Sequence, residues 1–325
     1  GKEGMYLMGH YVRNRLLQLV PILFGITVLT FAMMQFAAGD AVDMIYEQSG
    51  VVSEEIKAEK RAELGLDQPL PVQYGRWAEG VLTGDLGRSY ISGKPVWETF
   101  TEKLPNTALL MVASVLVTLL FAVPLGAIAA VFRGSLFDAV VRSVTFVGSA
   151  LPNFFVGLLL LYFFSLKLGL LPVMGRTEEP ASLILPTLTL VSAMGAKYTR
   201  QIRAAVLDEL GMPYVLGARA RGVAMWRILC FSVMKSAFPM ILTLLALSLG
   251  SLLGGTAIVE TLFLWDGVGK MAVDAILMRD YPLIAAYVVW MAILYVAVNL
   301  AADLVSMWVD PRMHMEERSE KEGGA

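Results

Sequence analysis

From Leu16 to Ala38 the chain reads LLQLVPILFGITVLTFAMMQFAA, without one charged side chain. A helix needs about 20 predominantly apolar residues to cross the hydrocarbon core of a bilayer. In that solvent an unpaired backbone N–H or C=O is so costly that a lone spanning segment has to be helical. Five further stretches approach the same length, at roughly 106–131, 139–167, 183–204, 238–260 and 282–308. The fourth is the least apolar, because Lys197, Arg200 and Arg203 stand at its end. Composition points the same way, at 57% hydrophobic and 17% charged, where soluble domains carry about 25% charged residues. The expected fold is all-α, a polytopic membrane protein with six transmembrane helices. Leu16–Ala38 exceeds a signal-peptide core and lacks a convincing small-residue cleavage site after it, so it reads as an anchor.

Lysine and arginine fix the expected orientation. Arg13 and Arg15 precede the first span, Arg133 and Arg142 lie between the second and third, and Lys197 through Lys235 holds the densest basic cluster. All would share one side, which the positive-inside rule makes cytoplasmic. Both termini are then expected in the cytoplasm, with residues 1–15 an interfacial helix, 16–38 the first span and 39–104 an extracytoplasmic loop. Residues 105–308 form a five-helix core that includes a cytoplasmic loop at 205–237, and 309–325 form the tail. Asp310-Pro311-Arg312 ends the last helix. The 39–104 excursion is mostly acidic, with helix-like material at Ser53–Leu64, where Ser53 is a plausible cap. It reads either as a solvated cap over span ends or as a landing place for a delivery protein.

Catalytic chemistry has little to stand on. No zinc-protease helix motif, serine-hydrolase elbow or phosphate-binding Walker loop occurs. One cysteine, Cys230, excludes an intrachain disulfide framework, and His10 and His314 lie near opposite termini. Glu260 and Asp303 fall near span ends, not in mid-span as a charge relay would require. The informative residues within the spans are small or break the helix. Gly250 and Gly254 sit four apart and permit close helix approach, within one subunit or between two. Pro152 and Asn153 interrupt the third span, which frees backbone carbonyls. They are candidates for a translocation path, with Met194 and Ser251 beside them; a simple proline kink is the alternative.

The basic break between the fourth and fifth spans reads as a surface helix, a turn at Gly222 and a second helix returning to the membrane. Two occupants suit its charge, a soluble motor protein or anionic lipid headgroups. Here the residues become familiar. Tyr214, then Ala218-Arg219-Ala220-Arg221-Gly222, then Ser236-Ala237-Phe238-Pro239 resembles the EAA loop of ABC-type importer permeases, in the form found in the dipeptide/oligopeptide/nickel permease family. Family-like stretches recur at Leu64–Leu70, Gly84–Ser89, Leu151–Phe154, Ile184–Pro186, Glu260–Gly269 and Arg279–Pro282, and at Asn299, Asp303 and Asp310–Arg312. Gly39-Asp40-Ala41 departs from the usual Pro-Gly-Asp-Pro, and Ser232–Ser236 replaces the common lead into the proline.

The resemblance implies a transport subunit with no cofactor and no ATP site of its own, ATP and magnesium being bound by partners. It implies a second homologous permease, two ATP-binding subunits and an extracytoplasmic solute-binding protein, in contact with membrane lipid and not with nucleic acid. The ATPase-coupling residues carried over are Tyr214, Ala218, Arg219, Ala220, Arg221, Gly222 and Pro239. The cargo would be nickel, free or chelated, or di/oligopeptides, moved inward by alternating access. The rival is an ATPase-independent secondary transporter or channel, which predicts intramembrane ionisable pairs or an internal repeat of broken spans.

Overall fold

Helices built from apolar, unbranched or lipid-tolerant residues satisfy their own backbones, and the chain uses them almost throughout. The structure, a computed structural model, describes residues 2–35, 40–47, 53–175 and 179–309. In chain order the α-helices are α1 (Lys2–Gln35), α2 (Ala41–Glu47), α3 (Glu54–Leu64), α4 (Leu70–Thr83) and α5 (Val96–Val131). There follow α6 (Leu136–Ala150), α7 (Asn153–Leu160), α8 (Ile184–Leu210), α9 (Pro213–Ala220) and α10 (Met225–Ile228). The last are α11 (Met234–Leu262), α12 (Val268–Met278) and α13 (Tyr281–Val309). Wider π-helical turns at Leu161–Lys167 and Leu229–Val233 continue α7 and α10. Among the described residues the β pairing is one isolated bridge, Arg88 to Pro95.

The six expected spans fall on helices of unequal length and polarity. Three helices among the described residues are long and apolar enough to cross a membrane by themselves: Val96–Val131, Met225–Gly250 and Tyr281–Ala301. The expected third span is a pair, α6 and α7, bent by 104°. The first shows as a shorter apolar helix, Leu17–Met33, inside α1. The fourth is α8, whose second half carries Lys197, Arg200, Arg203, Asp208 and Glu209 and so fails on composition. The ends at 39, 310–312 and the tail lie outside the described residues, as do the side chains of Ser251 and Asp303.

The chain divides into two units. One comprises Gly1–Ala108 with Asp266–Ala297. Its core joins Val96 and Phe100 of α5 to Val268, Met271 and Ala275 of α12 and to Leu283 and Ala286 of α13. Trp290 stacks on Phe100 at 5.4 Å between ring centroids. The acidic excursion is tied internally: Arg61 reaches Asp40 and Asp43, each at 2.7 Å. Ser53 does stand before α3, but its side chain makes no cap bond; its carbonyl accepts from Ile56 and Lys57. Asp280, just ahead of α13, accepts from the Ser89 hydroxyl and from the Tyr90 N–H at 3.1 Å. Burial lifts the Asp280 carboxyl above its ordinary range against the pull of those bonds.

The other unit comprises Leu109–Trp265 and Val298–Ala325, and it is built on α8. Three glycines let other helices close onto that element. A Cβ on Gly126 of α5 would lie 2.8 Å from the Thr199 carbonyl, and one on Gly148 of α6 would lie 3.3 Å from Ala196 Cβ. One on Gly157 of α7 would lie 3.1 Å from Thr189 Cγ2 and 2.7 Å from Leu262 of α11. On the far side of α8, the Tyr198 hydroxyl donates to the Leu244 carbonyl of α11 at 2.8 Å. A Cβ on Gly254, a packing residue in the sequence reading, would meet nothing within 4 Å among the described residues.

One ion pair closes the turn between α5 and α6 onto α8. Asp138, 1% exposed, receives both Arg203 Nε at 2.6 Å and Nη2 at 2.8 Å, and also the Gly134 N–H at 3.0 Å. Ser135 caps α6 by accepting from the Asp138 N–H. Removing one partner of a buried pair costs about 3–5 kcal/mol, while replacing both by apolar residues is often neutral. Asp138→Ala is therefore expected to lower the unfolding free energy of the detergent-solubilised chain by about 3 kcal/mol. The double variant Asp138→Leu/Arg203→Met should recover most of it, as thermal unfolding would read.

Candidate functional site

The helix-turn-helix after α8 is assembled from backbone rules first. Met212 has extended backbone angles and Pro213 occupies the first turn of α9, where a missing N–H costs nothing. The helix stops at Gly222, whose φ of +79° takes the left-handed turn expected of it. There the Gly222 N–H donates to the Arg219 carbonyl at 2.9 Å and the Val223 N–H to the Ala218 carbonyl at 3.1 Å. That is the double closure by which a helix end satisfies its last carbonyls. The chain then re-enters helix at α10 and runs through the π-helical turn into α11.

One face of α9 is held and the other is presented. Val215 is 1% exposed and joins Ile202 and Val206 of α8 and Ile228, Leu229 and Val233 after the turn, with Ala218 and Val223 packed against them. Tyr214 braces the same helix from its side, its hydroxyl donating to Glu209 at the end of α8 at 2.6 Å. Burial and then that carboxylate raise the Tyr214 pKa, while the Ser236 side chain hydrogen-bonds it from α11. Arg219, Ala220, Arg221 and Gly222 are exposed, and among them stand exposed Leu216 and Trp226. No ion pair is made by Arg219, Arg221 or Arg227 among the described residues. The arrangement is a basic, partly apolar exposed surface whose position is set by α8 and α11. Pro239 lies farther on, half-buried inside α11, and its carbonyl accepts from Thr243.

The residues named for a path are placed apart from that surface. The bend between α6 and α7 falls at Leu151-Pro152: both have extended angles, and Pro152 is the residue ahead of α7. Proline has no N–H to give, so the regular bond back to residue 148 is absent. The Pro152 carbonyl is satisfied by Phe155 and Val156 N–H groups at 3.0 and 3.2 Å. Asn153 is half-buried as the first residue of α7. Met194 packs half-buried against the cluster around Tyr198 and Ile202. Sequence reasoning missed Glu209 as the brace of Tyr214 and Asp138 as the partner of Arg203. The first pairing crosses a Gly-Met-Pro break and the second spans 65 positions, so no local spacing signals either.

Apolar helices, a span broken partway and a basic hairpin presented outside the apolar stretches define a helical membrane protein. Comparison with known sequences narrows this. Residues 122–315 match the family model described as binding-protein-dependent transport system inner membrane component, and residues 8–113 match that of its N-terminal part. The chain belongs to this family of ABC importer permeases. It is 36% identical to the oligopeptide transport system permease protein AppB of Bacillus subtilis, over 94% of this chain and 99% of that one. It is 33% identical to the dipeptide transport system permease protein DppB of Escherichia coli K12, over 94% and 99%. The glutathione transport system permease protein GsiC of Salmonella paratyphi A is 35% identical over 94% and 98%. In fold, the chain is similar to an inward-facing structure of the MetNI methionine ABC transporter, with TM-score 0.56 and 16% identity over 66% of this chain and 97% of that one.

The turn supplies a direct test of how α9 is held. A Cβ on Gly222 would meet nothing within 4 Å, so a substitution there acts through φ and not through a clash. A β-branched residue in the left-handed region costs about 1–2 kcal/mol, whereas asparagine tolerates it. Gly222→Val is expected to speed amide hydrogen exchange at Gly222 and Val223 by about tenfold, with Gly222→Asn close to wild type.

Proposed function

We propose that this chain is the membrane-spanning permease subunit of an ATP-driven importer of di- or oligopeptides, and that α9 is the helix through which ATPase subunits drive it. The observation that carries the reading is the two-sided construction of α9. Val215 and Tyr214 lock it to α8 and to the chain leading into α11, while Arg219, Ala220 and Arg221 face outward with no carboxylate partner among the described residues. A displacement applied to that surface passes into α8 and α11 as packed bodies, because interiors transmit strain instead of absorbing it. The sequence carries no nucleotide-binding loop, so ATP and magnesium belong to partner subunits.

In this mechanism the basic side is cytoplasmic, both termini included. Closure of two ATPase subunits around ATP moves α9, and the helices above it expose the path to a docked solute-binding protein; hydrolysis and reopening reset them. A second, homologous permease completes the path. The bend at Pro152 is a place where α7 can move separately from α6, with Asn153 offering an amide there and Ser251 a hydroxyl farther along the chain. For cargo, the relatives named for oligopeptides, dipeptides and glutathione favour a peptide backbone over nickel.

In the assembled importer, Arg219→Glu/Arg221→Glu should reduce both co-purification of the ATPase subunits and peptide uptake by about tenfold or more, the range for reversing exposed charges at an interface. The amount of chain in the membrane should not change, since neither arginine packs in the core. Unchanged ATPase association together with unchanged uptake would refute the coupling role.

A further inference from the structure

A cavity of about 220 Å³ opens in the unit formed by Gly1–Ala108 and Asp266–Ala297. Its wall brings together Phe31 of α1, the Leu64-Gly65 turn, Arg76 and Trp77 of α4, the Leu86–Tyr90 segment, and Tyr281-Pro282 at the start of α13. Three of the family-like stretches, Leu64–Leu70, Gly84–Ser89 and Arg279–Pro282, thus meet in one place that the coupling surface does not use. The wall is held by its own bonds. Asp280 ties Ser89 and Tyr90, Gln73 Nε2 donates to the Gln68 carbonyl at 2.7 Å, and the Leu66 N–H donates to the Arg61 carbonyl at 2.9 Å.

Two guanidinium groups stand in this wall without a carboxylate partner among the described residues. Arg76 lies over Gly65, where a Cβ would come within 3.4 Å of its Nη1. Arg88 spends one N–H on the Gly93 carbonyl at 3.1 Å and keeps the rest. Aromatic rings complete the lining: Phe31 meets Trp77 at 5.3 Å between centroids, and Tyr90 meets Tyr281 at 6.3 Å. The indole Nε1 of Trp77 is buried without an acceptor among the described residues.

The level of the cavity says which anion suits it. Phe31 is close to the end of the apolar helix Leu17–Met33, and Tyr281 is the first residue of the apolar helix Tyr281–Ala301. Both helices therefore leave the hydrocarbon at the cavity, which is where aromatic side chains collect and where phosphates of lipid headgroups lie. We propose that this cavity binds the phosphodiester of an anionic phospholipid headgroup, gripped by Arg76 and Arg88 and flanked by the rings of Trp77 and Tyr90. Arginine suits phosphate because its planar fork donates two parallel hydrogen bonds. A site of this volume holds a headgroup and leaves the acyl chains outside along α1 and α13. Its occupation would pin α4 and the start of α13 to one membrane face.

The test uses the full chain in nanodiscs containing phosphatidylglycerol and phosphatidylcholine, transferred to detergent and weighed by native mass spectrometry. Wild type should keep one phosphatidylglycerol through detergent exchange. Arg76→Gln/Arg88→Gln should lower that retained fraction by about tenfold or more, as expected for losing charge-assisted bonds, and Arg76→Lys/Arg88→Lys should fall between. Should the Gln pair fail to fold, Arg88→Gln alone decides, since this exposed side chain holds only a loop carbonyl; it should still lower retention severalfold. Equal retention in wild type and variants would overturn the proposal. So would displacement of the lipid by millimolar inorganic phosphate, which would make this a free-anion site, or by a dipeptide, which would make it a cargo site.

Discussion

Close approach to α8 is the constraint on which the permease core rests. Gly126, Gly148 and Gly157 come from three different helices; a Cβ on Gly126 or Gly157 would collide with α8 or its neighbour α11, and one on Gly148 would crowd Ala196 of α8. Helices in lipid gain little from hiding apolar surface from one another, so contact depends on backbones coming near enough for dispersion and hydrogen bonds to count. Missing side chains at these three positions supply that nearness. The Tyr198 hydroxyl on the Leu244 carbonyl and the Asp138–Arg203 pair then fix rotation and register, since each is satisfied in a single arrangement.

That arrangement explains why α8 looks least like a span in the sequence and yet carries a long buried stripe. Hydropathy counts Arg203 against it, but the structure cancels that charge with Asp138. Lys197 and Arg200 fall on its exposed side, while Tyr198, Ile202 and Val206 form the buried stripe. A window average cannot separate two faces of one helix, nor see a neutralising partner on another element. Pro152, by contrast, was legible because proline acts on its own backbone. So was Gly222, where a helix had to end before an Ala-Met-Trp run could begin. The large bend at Pro152 was not legible, because the angle depends on what α7 packs against, namely Thr189 and Leu262.

The outer-loop motifs show the same division. Leu64–Leu70, Gly84–Ser89 and Arg279–Pro282 stand out in the sequence as separate family-like stretches. That they enclose one cavity rests on the Ser89–Asp280 contact, between residues 191 apart in the chain. Likewise, the acidic character of the 39–104 excursion suggested a solvated surface. Part of that acid is instead committed to Arg61, which both Asp40 and Asp43 hold.

The proposed coupling surface and the proposed headgroup cavity are built differently. Around α9 the contacts are apolar and continuous, Val215 into Ile202 and Val206 on one side and into Ile228 and Val233 on the other. Such contacts carry displacement without choosing a protonation state or a salt concentration. Around Asp280 they are polar and directional, with Ser89 and Tyr90 each held by one oxygen. Those contacts hold a shape and lose their geometry when a wall shifts. The proposed coupling surface is built on packing, and the cavity wall on hydrogen bonds. Among the described residues, Arg219, Arg221 and Arg227 at the first and Arg76 and Arg88 at the second make no ion pair. In a chain with only 17% charged residues, these are the cations on which the proposed partners would bear.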